Sequence, residues 1–366
     1  MKSLLILLFS FLQWFTGAAE AGQSPQAELL FVGDAMQHQA QLDEAKKIGG
    51  SYYDYSDCFT LIAPEIIRAD YAVVNLEVPL GGGPDYSGYP RFSAPDSYAQ
   101  ALKDAGFDLF LTANNHCLDR GDNGVRRTVE TLTRLNVDHT GTWHDANERK
   151  TTPPLVKNIK GFKVGFVNYT YGTNGIEPKS GAEIALIDRG KIAQEVEALR
   201  KAGAEIIVTC VHWGNEYQLT EHATQRSLAN YLADLGVDLI IGSHPHVIQP
   251  MKVMHNAKNN KDVLVVYSLG NFISNMKTDD TRGGALVKVT LTRDAKGKAR
   301  FVNPVYNTFY SSKPCAELRN FQVIPYWRQD MIPAGQQRAW WNTFDTRSSR
   351  VFNQNNVNVP RDTASH

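Results

Sequence analysis

The sequence predicts a layered α/β fold: a sheet sandwich flanked by helices, closed by a C-terminal β-hairpin and followed by an irregular tail. Three observations carry this expectation. Short apolar runs alternate with helix-like stretches along most of the chain. One unit recurs, made of a helix end, a glycine, a variable residue, an acid, an apolar run and then polar residues. It appears as Ala105-Gly106-Phe107-Asp108, Ala202-Gly203-Ala204-Glu205 and Leu235-Gly236-Val237-Asp238. The copies are unevenly spaced, which fits βα units in a sheet and not a solenoid. Finally, residues 285–291 alternate, Lys296-Gly297-Lys298 turns, and residues 301–305 return, which is a hairpin pattern.

The elements follow in order. Lys2, a short apolar core over residues 4–15 and the small residues Ala19 and Ala21 before Gly22 mark residues 1–21 as a signal peptide. A spanning helix needs roughly 20 apolar residues, more than this core has, so cleavage and export to the periplasm or cell exterior are expected. No cysteine lies near the cut, which argues against a lipid anchor there. Residues 27–32 form a first strand closing on Gly33-Asp34, and residues 70–74 a second ending in Asn75-Leu76-Glu77. A loop rich in Gly, Pro and Tyr spans 81–90. Ser93 or Asp96 is expected to cap a helix that stops at Gly106. Residues 107–112 form a strand ending in Asn114-Asn115-His116, and a helix follows over 124–135. Residues 164–169 form a strand running into a turn over 172–175. The helix over 191–202 leads through Gly203 to the strand 206–211 and His212-Trp213-Gly214. The helix 222–235 leads through Gly236 to the apolar run 239–241, Gly242 and His244-Pro245-His246. One more strand over 263–269 precedes the hairpin. One domain is expected over 28–312. Residues 313–366 read as an extension without periodicity, wrapping the core in extended or short helical pieces around Trp327, Trp340 and Trp341, with disordered last residues.

The 366 residues carry 38 Lys+Arg against 38 Asp+Glu and no basic run, so no nucleic-acid partner is expected. Cys58, Cys117, Cys210 and Cys315 permit disulfides in an exported chain, in three possible pairings. Cys210, inside an apolar run, reads as a buried free thiol.

The polar strand endings carry the chemistry. Pro245 between His244 and His246 forbids helix and favours an extended backbone, in which residues i and i+2 point the same way. Asp34 with His38, then Glu77, then Asn115 with His116, then His212 occupy corresponding positions after other apolar runs. The carboxyl end of strands is the ligand edge of an open α/β sheet. Singly, each has a bland alternative: Asp34 as a helix cap, Glu77 as a surface charge, Asn115 as a turn residue and His38 as helix surface. Jointly, carboxylate, amide and imidazole groups suit manganese, iron or zinc, and their number suffices for two divalent ions sharing a bridging carboxylate.

Several longer motifs resemble the CapA family, the capsule and poly-γ-glutamate synthesis proteins. They are Val32-Gly33-Asp34-Ala35-Met36, Val74-Asn75-Leu76-Glu77, Ala113-Asn114-Asn115-His116-Cys117-Leu118-Asp119, His139-Thr140-Gly141, His212-Trp213-Gly214-Asn215-Glu216-Tyr217, Gly242-Ser243-His244-Pro245-His246-Val247 and Tyr267-Ser268-Leu269-Gly270-Asn271-Phe272. The resemblance spans about residues 28–310 and implies a variant of the calcineurin-like metallophosphatase fold. It further implies that Asp34 and His246 bind one metal, that Asn115, His212 and His244 bind a second, that Glu77 bridges them, and that His116 is the acid or substrate-polarising group. Where metallophosphatases have Asp-x-His, this chain reads Asp34-Ala35-Met36-Gln37-His38, and glutamate replaces aspartate at the bridge.

The function expected from this is metal-dependent hydrolysis or transfer on an extracytoplasmic cell-envelope polymer, with poly-γ-glutamate favoured by the resemblance. Two alternatives stand beside it. One is a non-catalytic factor that binds an anionic polymer or a membrane synthase complex and assists export or assembly. The other is a single-metal amidase or deacetylase of cell-wall glycans.

Overall fold

A computed structural model describes residues 25–363. The signal peptide expected over 1–21 lies outside the described residues, as do the last three residues of the tail.

In chain order, β1 (Ala27–Ala35) is followed by α1 (Gln39–Gly49), α2 (Ala63–Arg68), β2 (Tyr71–Leu76), α3 (Asp96–Asp104), β3 (Leu109–Leu111), α4 (Gly121–Arg134) and β4 (Asp138–Thr140). Next come β5 (Thr142–Trp143), α5 (Ala146–Thr151), β6 (Val156–Ile159), β7 (Phe162–Thr170), β8 (Glu183–Ile184), α6 (Arg189–Lys201), β9 (Ile206–His212), α7 (Ala223–Asp234) and β10 (Leu239–Ser243). The chain closes with β11 (Met251–Asn256), β12 (Lys261–Val266), β13 (Asn271–Ile273), β14 (Gly283–Arg293), β15 (Ala299–Ser311), β16 (Val323–Pro325) and α8 (Gln336–Asn355).

These strands build two large sheets. The first runs β16-β15-β14-β1-β2-β3-β4, with β13 pairing on β1, and the second runs β11-β12-β10-β9-β7-β6. In the first, β1 to β4 are parallel; in the second, β7, β9, β10 and β12 are parallel. Period-two alternation of side chains decides which face packs where. Leu29 and Phe31 of β1 join Phe166, Val208, Ile241 and Val266 of the second sheet in one buried cluster between the sheets. Leu30 and Val32, one residue out of phase, pack instead on the outer side with Ile66, Tyr98 and Leu102 of α2 and α3. Ile207, Val211 and Ile240 face α6 and α7 through Val196, Leu199 and Leu232.

The recurring acid has a structural task. Asp108 Oδ2 accepts the Ala72 amide at 2.8 Å, Glu205 Oε2 the Lys163 amide at 3.1 Å, and Asp238 Oδ2 the Ile207 amide at 2.9 Å. Each acid thus holds the neighbouring parallel strand in register at its start. The preceding Gly106, Gly203 and Gly236 have φ of +107°, +89° and +83°, the left-handed helix exit that glycine adopts most readily.

The structure corrects two expectations and settles what the sequence left open for the cysteines. Neither Ser93 nor Asp96 caps α3; Pro95 holds the cap position, and Asp96 pairs with Arg127 and Arg134. The cysteines form no disulfide: Cys58, Cys117 and Cys210 are buried free thiols and Cys315 is exposed. Beyond residue 312 the chain is not irregular throughout, since α8 is a 20-residue helix and β16 adds a strand to the first sheet. Buried Trp341, Phe344, Ser348 and Phe352 recur every three to four residues, so the helical period is present. Sparse apolar residues among many polar ones hide it.

Candidate metal centre

The parallel strands of both sheets deliver their carboxyl ends to one place. Asp34 ends β1, Glu77 follows β2, and Asn115 and His116 follow β3; His212 ends β9, and His244 and His246 follow β10. Two glycines permit the approach. A Cβ on Gly33 would lie 1.9 Å from the Gly270 carbonyl oxygen, and one on Gly242 would lie 2.1 Å from that of Tyr267.

Asp34 is fully buried. Its Oδ1 accepts Asn75 Nδ2 at 2.7 Å, while Oδ2 stands 3.1 Å from His246 Nδ1 and 3.3 Å from the His244 amide. Glu77 is equally buried, and neither of its carboxylate oxygens has a hydrogen-bond partner among the described residues. His212 Nε2 and His246 Nε2 lie 3.5 and 3.8 Å from Glu77 Oε1. His212 Nε2 also meets Asn115 Oδ1 at 2.8 Å, and its Nδ1 meets Ser243 Oγ at 3.0 Å.

Donor atoms of Asp34, Glu77 and His246 lie within 4.8 Å of one another, and so do those of Glu77, His212 and His244. Glu77 belongs to both groups, and Glu216 forms a third with His244 and His246. His38 is in none of them. It sits at the start of α1, half-buried, where its Nδ1 accepts the Asn275 amide at 3.3 Å.

The His244-Pro245-His246 segment is not extended. His244 and His246 have φ of +97° and +58°, left-handed values that cost of order 1–3 kcal/mol each for residues other than glycine. Neighbours hold this turn: the Tyr217 amide donates to the Pro245 carbonyl at 2.9 Å, and the His244 amide is held by Asp34. The two rings still come together, with centroids 5.9 Å apart, and the Tyr171 ring lies 4.5 Å from that of His244.

His116 stands beside the donor groups. Its Nδ1 lies 2.8 Å from Asp119 Oδ2, which also accepts the Phe92 amide at 2.8 Å. Asn174 bridges it to Asn115, at 3.5 Å from His116 Nδ1 and 3.2 Å from Asn115 Nδ2. Among the partners, Asn75 and Asn271, whose Oδ1 lies 3.0 Å from His246 Nδ1, are polar strand endings in the sequence, and Asp119 stands inside a motif. Asn174, in a distant turn at φ +52°, gave no signal.

Burial governs the electrostatics. It drives the Glu77 pKa well above the usual carboxylate value, and the adjacent Asp34 carboxylate adds to the effect. Burial and neighbouring imidazoles hold His212 well below the ordinary histidine value and bring His244 to about 3. Burial takes His38 to about 4, against the opposing Gln41 hydrogen bond. His212 and His244 are therefore neutral at ordinary pH, the form in which imidazole coordinates a metal. An unpartnered, buried carboxylate beside neutral imidazoles is the donor set that a divalent cation completes. The residues fit such an ion.

The family profile described as "Bacterial capsule synthesis protein PGA_cap" matches residues 28–276. The chain is 27% identical over 272 residues to the PGA biosynthesis protein CapA of Bacillus subtilis, covering 73% of this chain and 68% of that one. It is 26% identical over 279 residues to the capsule biosynthesis protein CapA of Bacillus anthracis, covering 74% and 65%. It thus spans about two thirds of the length of these relatives. Among solved structures it is similar to the NAD nucleotidase of Haemophilus influenzae, with a TM-score of 0.46 and 10% identity over 90% of this chain and 68% of that one. It is also similar to the sulfate thiohydrolase SoxB of Thermus thermophilus, with a TM-score of 0.47 and 14% identity over 90% and 61%. With most of its length matched by the family profile, the chain belongs to the PGA_cap family of bacterial capsule synthesis proteins, of the CapA type.

Proposed function

We propose that this protein is a metal-dependent hydrolase or transferase that acts on a cell-envelope polymer outside the cytoplasm, within a capsule or poly-γ-glutamate synthesis system. The observation that carries the reading is Glu77. Its carboxylate is wholly buried, shared by two groups of donor atoms, and without a hydrogen bond among the described residues. The polymer comes from the names of the relatives, and export from the N-terminal segment.

Asp34, Glu77, Asn115, His212, His244 and His246 would hold one or two divalent ions. Bound there, manganese, iron or zinc supplies Lewis-acid activation of a phosphoryl or acyl centre. The chain's own residues do the rest. Asp119 holds His116 by Nδ1 and fixes the ring, so that Nε2 is the nitrogen left for proton transfer. In hydrolysis the water oxygen bonds to the phosphorus or acyl carbon and its proton passes to solvent, the bond to the leaving group breaks, and His116 gives the departing oxygen or nitrogen its proton and regains one from solvent. Phe92, with its ring centroid 4.6 Å from that of His116, shields one side of the imidazole.

A non-catalytic role in gripping polymer for a membrane synthase complex has its own support. Tyr89, Tyr171 and Tyr217 are exposed around the site, a margin suited to holding a chain. No helix among the described residues is long and apolar enough to cross a membrane. Metal quantification on purified protein, followed by turnover of a phosphoester and of a γ-glutamyl amide with added manganese and with chelator, separates the readings. Chelator-sensitive turnover supports the enzyme. Bound metal with polymer binding and no turnover on either substrate overturns it.

A further inference from the structure

A second polar cluster lies beside the first. After β13 the chain loops through residues 274–282 before β14 begins. This loop is tied to the metal centre through Asn271 and to neighbouring His38 at the start of α1. The Asn275 amide donates to His38 Nδ1, and Asn271 links His246 Nδ1, at 3.0 Å, to the Thr281 carbonyl, also at 3.0 Å. The next residue, Arg282, is only 8% exposed. Its Nη2 donates to the Lys277 carbonyl, but Nε and Nη1 are buried with no hydrogen-bond partner among the described residues.

Two more cations share the place. The Arg282 guanidinium lies 3.9 Å from the centroid of the Trp340 ring of α8, and Lys313 Nζ lies 5.6 Å from the same centroid. Burial lowers the Lys313 pKa, and the charges of Arg282 and Lys277 lower it further. Tyr310 is fully buried, and its hydroxyl has no hydrogen-bond partner among the described residues. The nearest acid to Arg282 is Asp279, whose Oδ1 is 3.8 Å from Nε, beyond hydrogen-bond distance; neighbouring Asp280 is taken by Arg347 at 2.6 Å.

A buried guanidinium with unsatisfied donors is destabilising until an anion completes it. Stacking on an indole face leaves the edge of the guanidinium free, and its forked N–H groups match a carboxylate. We propose that Lys277, Arg282 and Lys313, with Trp340 and Tyr310, form a carboxylate subsite that takes one side chain of a polyanionic polymer while the adjoining segment lies at the metal centre. The proposal deepens the functional reading and rests on its polymer, but not on turnover. Phosphate shares the chemistry, so the test includes it.

The experiment is calorimetric binding to the full chain, with and without chelator, of three probes: a short poly-γ-glutamate oligomer, its neutral γ-linked glutamine counterpart, and inorganic phosphate. The glutamate oligomer is expected to bind in both conditions, more weakly as salt rises, and the neutral oligomer not to bind. Lys313→Gln and Arg282→Gln should each weaken binding about tenfold or more, the loss of one charge-assisted contact. Lys313 is half-exposed, so its variant tests the idea even where Arg282→Gln fails to fold. Unchanged affinity in folded Lys313→Gln overturns the subsite. So does equal binding of the neutral oligomer, and so does a Lys313-dependent phosphate site that ignores the oligomer. Absent turnover with Lys313-dependent oligomer binding leaves the subsite standing and removes only the catalytic reading.

Discussion

At the scale of single residues, Glu77 shows why a ligand position can be costly to the empty fold. Its carboxylate lies in full burial between His212 and His246 with no hydrogen bond among the described residues. Glu77→Gln is expected to lose bound metal, while its metal-free form should unfold at a temperature no lower than that of metal-free wild type, because a charge that burial disfavours is gone. Elemental analysis with thermal denaturation checks both; unchanged metal content would remove Glu77 from the donor set. His116→Ala should keep its metal and lose about 10²–10⁴-fold in turnover on whichever substrate the screen yields, the usual share of a general acid. Full activity would exclude it from the chemistry, and lost metal would make it a ligand. Of these residues, Asp34, Glu77, Asn115, His116, His212, His244 and His246 were legible as polar groups closing apolar runs. Arg282 was not, because a buried guanidinium with donors left over is recognised only once its surroundings are known.

At the scale of elements, local rules account for most of the chain, and polar clamps fix what they leave open. The acids after Gly106, Gly203 and Gly236 pin strand starts, so one short motif both ends a helix and registers a strand. Asp122, in the first turn of α4, does the same for a loop, accepting the amides of Lys179 at 2.8 Å and of Ser180 and Ala182 at 2.9 Å. Burial opposes its charge, but these three amides prevail and bring its pKa down from 3.8 to about 2. A folded-state pKa below the unfolded value adds stability above the unfolded pKa, and that stability is lost as pH falls through the folded one. The stability gap between wild type and Asp122→Asn should therefore be full above about pH 4 and shrink as pH falls to about 2. Urea titrations across that range check it, and a gap independent of pH would contradict it. The His244-Pro245-His246 turn marks where local rules fail. Proline favours extension before it, yet both histidines adopt positive φ because Asp34 and Tyr217 hold the backbone there.

At the scale of the molecule, the two sheets share one core. Leu29, Phe31 and Val73 of the first sheet pack in the same cluster as Val164, Val208 and Leu264 of the second, and Val351, Phe352 and Val359 of the C-terminal extension join them. Unfolding of the metal-free protein should then be a single cooperative transition, with fluorescence and far-UV circular dichroism coinciding. Two separable transitions would show that the sheets or the extension unfold on their own. The sequence by itself determined the alternation of strands and helices, the hairpin, the family and the polar ends of the strands. Those features depend on neighbours along the chain and on side-chain period. Only the tertiary structure decided that the carboxyl edges of two separate sheets converge, that Asn174 and Asp119 bracket His116, and that α8 brings Trp340 over Arg282. Apart from the short-range His116–Asp119 pair, these contacts join residues tens to hundreds of positions apart. They arise from how sheets and helices pack, and no local pattern in the chain encodes them.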